Sequence, residues 1–227
     1  MVVLYTGIMA SRSFPDRVAA LAALDDPVRK AVFDLVSDSP EPVGRDATAE
    51  ALGVSRRIAA LHLDRLAEQG LLDYEFRRPP GRGGPGAGRP AKLYRRAGGE
   101  VAVSVPERHY DLVGALLAGA VTESIATGAP VQPVLERTAF TAGREIGASA
   151  GSLDDALTEA GYQPRRDDAG TTDLRNCPFH RLARQYTELV CGVNLSLLRG
   201  VVEGAASDAR AVLDPQPGRC CVRLLPA

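Results

Sequence analysis

The amino-acid sequence predicts an α+β fold in which two mainly helical regions each carry short strands. Apolar residues recur at helical spacing in residues 16–37, 55–69 and 133–146. Short runs rich in aromatic and aliphatic residues, such as LLDYEFRR and AKLYRR, predict strands between the helices. A chain of 227 residues can bury a core without disulfides, and no apolar run reaches the roughly 20 residues that a membrane-spanning helix needs.

The charge is distributed unevenly, although the formal net charge is only −1. Residues 55–96 contain ten basic and four acidic side chains, whereas the regions on either side are acidic. A basic segment inside an acidic chain indicates a surface that binds a polyanion. A solvated arginine-rich loop would have the same composition.

The N-terminus and the cysteines indicate a cellular compartment. The first residues, MVVLYTGIMASRSF, lack the charged region and the long apolar region of a signal peptide, so we expect a cytoplasmic protein with no membrane partner. Thiols in the cytoplasm are usually reduced, and the four cysteines therefore do not predict a disulfide framework.

The helices of the first hundred residues are predicted from their caps. A break at Asp25-Asp26-Pro27 divides residues 16–37 into two helices, with Pro27 in the first turn of the second and Asp25 or Asp26 as its cap. A short helix at about residues 46–52 ends at Gly53. A longer helix follows from a Ser55 cap to about residue 69, and Gly70 ends it in the left-handed conformation. Two helices joined by a tight turn form a helix-turn-helix, whose second helix can enter the major groove of DNA.

The same segment predicts the residues that contact DNA. On the second helix, Ile58, Leu61 and Leu66 are expected to face inward. The glycine- and proline-rich loop PPGRGGPGAGRP joins the two predicted strands into a basic hairpin, a wing that reaches phosphates or the minor groove. The predicted DNA-binding residues are Ser55, Arg56, Arg57, His62, Arg65, Arg82, Arg89 and Lys92.

These motifs carry a family resemblance. DPVRKAVFDLV, ATAEALGVSRRIAALHLDRLAEQGLLDYE and GRPAKLYR resemble the winged-helix DNA-binding domain of ArsR-type bacterial repressors, over residues 17–97. The resemblance implies a winged helix-turn-helix domain in residues 1–97 that binds double-stranded DNA. The alternative is a winged helix used only for protein contacts, and the basic wing argues against it.

The rest of the chain is predicted to contain a connector, residues 98–131, and an α+β sensor domain, residues 132–227. In the connector we expect a short strand in VAVSV and a helix from Pro106, of which residues 110–125 are predicted to form a dimerisation helix because small residues let helices approach closely. An ordinary buried helix of the second domain is the alternative. The sensor domain should contain a helix over residues 133–146 and paired strands at residues 162–166 and 171–175.

The four cysteines lie in NCPFHRLARQYTELVC and DPQPGRCCVRLLP. A helix is expected to start at Cys177, yet Cys177 and Cys191 would lie about 21 Å apart at the ends of a straight helix. Either the chain folds back before the helix, or the helix starts late, or ligands from two subunits combine. Cys220 and Cys221 are placed at the start of a strand, where neighbours face opposite ways, so Cys220 is the expected ligand and Cys221 a core thiol. The spacing is not that of a zinc finger.

The segments CPFH, VCGVNLSLLRG and CCVRL, following a winged helix, resemble the SufR family of repressors, which control iron–sulfur cluster assembly operons and carry a cluster themselves. The family's pattern C-x12-C-x13-C-x14-C places Cys177, Cys191 and Cys220 at its first, second and fourth positions, although 13 residues rather than 12 separate Cys177 from Cys191, and Ala205 stands at the third. The resemblance implies that these three cysteines hold an iron–sulfur cluster, [4Fe–4S] rather than [2Fe–2S]. His180, Cys221, an acidic side chain, a backbone atom or a small thiol would be the fourth ligand. Zinc, metal-free redox thiols and ordinary core cysteines are the alternatives.

The sequence therefore predicts a homodimeric transcription regulator that binds a palindromic operator, and not an enzyme. It contains no C-x-x-C motif, dinucleotide-binding glycine pattern, P-loop or hydrolase triad, which leaves a thiol oxidoreductase with a DNA-binding appendage as the rival enzyme. The resemblance implies a repressor of cluster-assembly genes that loses operator affinity when the cluster is lost or oxidised. A winged-helix regulator that senses zinc, thiol redox state or a small ligand is the alternative.

Overall fold

The computed structural model describes residues 12–78 and 90–227, which fall into two compact units, Arg12–Val103 and Ser104–Ala227. Each unit contains helices and antiparallel strands, and the mixed fold agrees with the predicted α+β class. No helix in these two described ranges has both the length and the apolar character needed to cross a membrane.

The first unit contains four helices and three strands in its described part. They are α1 (Phe14–Ala22), α2 (Pro27–Asp38), β1 (Val43–Gly44), α3 (Arg45–Leu52), α4 (Arg56–Glu68), β2 (Leu72–Arg77) and β3 (Ala91–Arg96). The strands form one antiparallel sheet in the order β1-β3-β2, with Leu72 opposite Arg96 and Arg77 opposite Ala91. The two longer strands were predicted from the sequence. The two-residue β1 was not.

The predicted caps of the first unit are confirmed. The Asp26 carboxylate accepts a hydrogen bond of 2.8 Å from the backbone N–H of Arg29 and caps α2. The Ser55 hydroxyl accepts one of 3.2 Å from the backbone N–H of Ile58 and caps α4. Gly53 and Gly70 have φ values of 65° and 60°, the left-handed conformation that ends α3 and follows α4.

The buried face of α4 differs from the prediction. Leu66 is buried as expected, together with Ala59 and Leu63, against α2 and the sheet. Ile58 and Leu61 were expected to face inward but are 41% and 64% exposed. Leu61 follows Ala59 by two residues, about 200° around the helix, so the two side chains cannot share the core face.

The second unit contains five helices and four strands. They are α5 (Tyr110–Thr127), α6 (Val131–Ser149), α7 (Leu153–Glu159), β4 (Pro164–Arg166), β5 (Thr172–Leu174), α8 (His180–Gln185), α9 (Thr187–Gly204), β6 (Arg210–Leu213) and β7 (Val222–Leu225). The strands form an antiparallel sheet in the order β4-β5-β7-β6, which confirms the predicted pairing of β4 with β5. The strand predicted at residues 101–105 is wrong, because this stretch joins neither sheet of the described chain.

The helix that was assigned to a connector belongs to the second unit. It begins at Tyr110 rather than Pro106, and Leu112, Val113, Leu116 and Ala120 bury one of its faces in the core of that unit. The boundary between the units falls after Val103. A role for the outward face of α5 in dimerisation stays a prediction.

Glycines bring α6 and α9 into close contact. A Cβ atom added to Gly143 or Gly147 of α6 would overlap backbone atoms of α9. One added to Gly200 or Gly204 of α9 would overlap backbone atoms of α6. The paired glycines therefore fix the position of α9, the helix that carries Cys191.

Candidate cysteine site and basic helix

The chain bends between Cys177 and Cys191, which resolves the distance problem raised by the sequence. Cys177 lies in a turn before α8, and α8 ends at Tyr186, where φ is −129° and ψ is 56°. A new helix, α9, begins at Thr187 and places Cys191 in its second turn. The helix begins at His180 rather than at Cys177, which agrees with the alternative of a late helix start, and the two cysteines do not occupy the ends of one straight helix.

Cys220 and Cys221 lie in the loop before β7 rather than inside the strand. The backbone N–H of Cys220 donates a hydrogen bond of 2.7 Å to the carbonyl of Leu174 at the end of β5. The carbonyl of Cys221 accepts one of 2.8 Å from the backbone N–H of Asp214. Strand alternation therefore does not separate the two side chains. Cys221 is half-buried in this loop and packs against the core of the second unit.

The four thiols interact with one another within a single chain. Hydrogen bonds join Cys177 to Cys220, Cys220 to Cys221, and Cys221 to Cys191. Cys177 and Cys191 also interact electrostatically. Cys191 and Cys220 are buried, and all four cysteines are free thiols. Residues from three separate segments thus form one cysteine cluster.

Through these contacts the thiols shift one another's pKa values. Hydrogen bonds from Cys177 and Cys221 lower the pKa of Cys220 to about 3, against the opposing effect of burial. A hydrogen bond from Cys221 also lowers the pKa of Cys191. Donation to Cys220 raises the pKa of Cys177, and donation to Cys191 and Cys220 raises the pKa of Cys221. Among the four thiols, the contacts of Cys220 thus favour its thiolate form, and the thiolate is the form that binds metal.

Two buried polar residues adjoin the cysteine cluster. The Tyr162 hydroxyl donates a hydrogen bond to Oδ1 of Asn194, and Nδ2 of Asn194 donates one of 3.1 Å to Sγ of Cys220. Burial raises the pKa of Tyr162, and the neighbouring Cys220 adds to this effect, so the hydroxyl keeps its proton. Neither residue was predicted from the sequence, although a polar Asn194 on the apolar face of an amphipathic helix was a signal.

Hydrogen bonds hold the turn that carries Cys177. The guanidinium of Arg108 donates to Oδ1 of Asn176 and, over 3.0 Å, to the carbonyl of Cys177. The buried Asn176 amide donates to the carbonyls of Glu107 and Gly161 at 2.8 and 2.6 Å. The position of Cys177 is therefore set by side chains distant in sequence.

An ion-pair network holds the loop that carries Cys220 and Cys221. Arg219 pairs with Asp173 and, at 2.8 Å, with Asp214. Arg223 pairs with the same two carboxylates at 2.8 and 2.9 Å. The two arginines flank the cysteines in sequence, so both ends of the loop are anchored to β5 and to the residue after β6. Hydrogen bonds from Arg219 and Arg223 lower the pKa of Asp214, which remains charged.

Four cysteine thiols are a donor set that a single metal ion or an iron–sulfur cluster could use. Within residues 12–78 and 90–227, no group of three or more His, Cys, Asp or Glu is arranged to hold one metal ion. The contacts between the thiols are compatible with this result. Four sulfur atoms that contact one another in pairs need not all lie at bonding distance from one metal ion. A [4Fe–4S] cluster takes four cysteine thiolates, one on each iron, and so does not need its ligands to surround a single atom.

The candidates for the fourth ligand differ in how close they lie to the other cysteines. Cys221 interacts with two of the other three thiols. His180 lies exposed at the start of α8 and is not among the groups that shift the pKa values of the described thiols. Ala205 follows the last residue of α9, and its Cα lies about 21 Å along the helix axis from that of Cys191. Of these candidates, Cys221 is the one that contacts other cysteines of the cluster.

The predicted DNA-binding residues of α4 are in different environments. Arg56 is exposed and pairs with Asp46 at 3.1 Å, and Arg65 is exposed and pairs with Glu68 at 3.3 Å. Arg57 is exposed and has no ion pair with another described residue. The Ser55 hydroxyl is used in the cap of α4.

Two further predicted residues are partly engaged inside the first unit. His62 is half-buried, its Nδ1 has no hydrogen-bond partner in the described chain, and it lies close enough to Asp26 of the α2 cap to interact electrostatically. Lys92 pairs with Asp64 of α4 at 2.5 Å and lies 4.0 Å from the ring centroid of Tyr74. Arg82 and Arg89 lie outside the described residues.

Comparison of the chain with models of protein families and with curated proteins found no match.

Proposed function

We propose that the protein is a homodimeric, DNA-binding transcriptional repressor whose operator affinity is controlled by an iron–sulfur cluster. Cys177, Cys191, Cys220 and Cys221 would hold the cluster. The observation that carries the proposal is the convergence of these four thiols, from three separate segments, in a partly buried position. Scattered core cysteines would not be expected to interact in this way. The resemblance to SufR-type repressors supports the same assignment, with cluster-assembly genes as targets.

The first unit supports the DNA-binding half of the proposal. Helices α3 and α4, the tight turn through Gly53 and the β2–β3 hairpin have the order of a winged helix-turn-helix. Arg57 would contact DNA directly. The ion pairs of Arg56 and Arg65 are exposed and worth little, so both arginines can exchange their carboxylates for phosphates. The exposed Ile58 and Leu61 offer apolar contacts to thymine methyl groups.

Lys92 has a different role in this proposal from the one first predicted. Its ion pair with Asp64 and its position over the Tyr74 ring connect the hairpin to α4. Lys92 would therefore set the angle between hairpin and helix, while the hairpin's other basic residues meet the phosphates.

The mechanism follows from what the cysteine cluster joins. A bound iron–sulfur cluster would be lost on oxidation or when iron is scarce. The chain's own residues convert its presence into structure, because the four sulfurs tie the turn before α8, the second turn of α9 and the loop before β7 to one another. Without that link the same three segments keep their hydrogen bonds, the ion pairs of Arg219 and Arg223 and their packing in the core of the second unit, none of which depends on iron. The populations of two dimer arrangements would shift, and a few kcal/mol would suffice to change operator affinity.

The test is purification without oxygen, followed by analysis of iron, acid-labile sulfide and zinc. We expect a brown protein with iron and sulfide in equal amounts, and loss of both when Cys177, Cys191, Cys220 or Cys221 is replaced singly by serine. His180→Ala is the matched control and should keep full iron content. A colourless protein with one zinc per chain, or full iron content in the cysteine variants, would refute the proposal.

A thiol–disulfide sensor is the second candidate, and the contacts among the four free thiols favour it. Thiols that contact one another are suited to disulfide formation once an oxidant is present. This candidate would be supported over the cluster if the purified protein is colourless and free of metal. Treatment with a peroxide should then form one reversible disulfide between two of its cysteines, with a matching change in DNA affinity.

A further inference from the structure

We propose that Asn194 is a positioning residue that raises the reduction potential of the bound cluster by donating a hydrogen bond to the sulfur of Cys220. The inference rests on the proposed function and adds to it the residue pair, Tyr162 and Asn194, that would tune the cluster's response to oxidants.

The contact is direct and fully enclosed by protein. Asn194 has no exposed surface, and it lies on α9 three residues after Cys191. Its Nδ2 atom is 3.1 Å from Sγ of Cys220, which is also buried. An amide removed from water requires hydrogen-bond partners, and the partner that this nitrogen has is the sulfur.

Tyr162 fixes which end of the amide faces the sulfur. Its hydroxyl donates to Oδ1 of Asn194, so the NH₂ group points to Cys220. The opposite orientation would require Cys220 to donate a proton to Oδ1, and a cysteine bound to iron has no S–H to donate. The orientation is therefore the one that the ligated state needs, and Tyr162 holds it in place.

The effect on the cluster follows from charge. A hydrogen bond to a ligand sulfur stabilises negative charge on the cluster, and the reduced form carries one electron more than the oxidised form. The N–H of Asn194 therefore stabilises the reduced form more. Inside a buried site, where water cannot replace the lost donor, removal of this group should lower the potential.

The experiment compares midpoint potentials of reconstituted full-length protein in an anaerobic titration with dithionite as reductant. In Asn194→Leu, which removes the N–H at similar side-chain size, we expect the ratio of reduced to oxidised cluster at a fixed potential to fall about tenfold. For a one-electron couple this is a shift of about 59 mV to lower potential. Tyr162→Phe, which removes a single oxygen atom, should shift the potential in the same direction by less.

Val201→Ala is the matched control for a purely structural effect. Val201 is buried on the same helix, seven residues or about 10 Å beyond Asn194, and its truncation should loosen the packing of α9 without changing the potential. An unchanged potential in Asn194→Leu, or an equal shift in Val201→Ala, would overturn the inference. If Asn194→Leu does not fold, an unchanged potential in Tyr162→Phe would overturn it instead.

The wild-type arm separates this inference from the function on which it rests. A wild-type chain that takes up no iron refutes the cluster and the inference together, before any variant is measured. A wild-type chain that holds a cluster, with Asn194 and Tyr162 variants of unchanged potential, refutes only the inference.

Discussion

Gly200 lies where α9 meets α6, and replacing it with alanine tests whether the two helices pack through their backbones. An added Cβ atom would overlap the carbonyl oxygen of Phe140 and lie 2.8 Å from the amide nitrogen of Arg144. Both are main-chain atoms, which cannot rotate away as a side chain can. Gly192, on the same helix, has no atom within 4 Å of an added Cβ in the described chain, so Gly192→Ala is a matched control.

The magnitudes follow from two opposing effects. Alanine in place of glycine inside a helix stabilises by about 1 kcal/mol at either position. At Gly200, ordinary contact begins at 3.4 Å, so the helices must separate by at least the 0.6 Å between 3.4 and 2.8 Å. Overpacking of a core costs about 1–3 kcal/mol, and a clash with backbone lies at the upper end of that range. We therefore expect Gly200→Ala to destabilise by about 2 kcal/mol net and Gly192→Ala to stabilise by about 1 kcal/mol.

The assay is urea unfolding of the reduced, metal-free protein, followed by circular dichroism. Because the chain has two units, two transitions can occur, and the one that Gly192→Ala moves to higher urea belongs to the second unit. The midpoint of that transition should move to lower urea in Gly200→Ala. If both variants raise the midpoint, the close packing of α6 against α9 is refuted.

Three further predictions concern the first unit. Arg57→Ala should weaken operator binding at least tenfold in a fluorescence anisotropy titration. The urea midpoint should stay unchanged, because the side chain is exposed and has no ion pair within the described chain. Equal affinity of the variant and the wild type would exclude a DNA contact by Arg57. Leu61→Ala should reduce the preference for operators that carry thymine rather than uracil at the contacted positions, because uracil lacks the methyl group that Leu61 would contact. An unchanged preference would place Leu61 away from the bases. Burial opposes ionisation of Asp64, but hydrogen bonds from Lys92 and Tyr94 outweigh it and lower its pKa, so its stabilising effect should exist at pH 7 and disappear as the pH falls through that lowered value. Asp64→Asn should therefore be less stable than wild type at pH 7, and the difference in stability should shrink as the pH falls through that lowered pKa, as measured by urea unfolding. A difference that does not change with pH would refute the role of the charge.

Most elements of the first unit could be predicted because their signals are local. The cap at Asp26 acts on a backbone N–H three residues away, as does the cap at Ser55, and Gly53 and Gly70 each determine one backbone conformation. The inward face of α4 was misjudged because Ile58 and Leu61 are apolar. Apolar side chains on a helix indicate burial only when their spacing agrees with the core, and Leu61 is out of phase with Ala59 and Leu63.

The cysteine cluster could be predicted only in part because its geometry depends on distant contacts. The sequence identified Cys177, Cys191 and Cys220, yet it gave no reason for the helix break at Tyr186 that brings the first two together. It also placed Cys220 and Cys221 on a strand, whereas β7 begins one residue later. The hydrogen bond from Asn194 to Cys220 joins residues 26 positions apart, and no local pattern encodes it.

The family spacing and the fold disagree about which residue is the fourth cysteine of the cluster, and a last prediction tests this. The family pattern places its third cysteine where this chain has Ala205, about 21 Å along α9 from Cys191. Cys221 instead interacts directly with Cys191 and Cys220. In a Cys221→Ser background, the change Ala205→Cys restores the number of cysteines but puts the new thiol at the far end of α9, so iron content should stay as low as in Cys221→Ser alone.

The measurement is iron and sulfide per chain after reconstitution, with wild type and Ala205→Cys alone as controls. Recovery of iron in the double variant would mean that α9 does not hold residues 191 and 205 apart, and the arrangement of the cysteine cluster described above would be refuted.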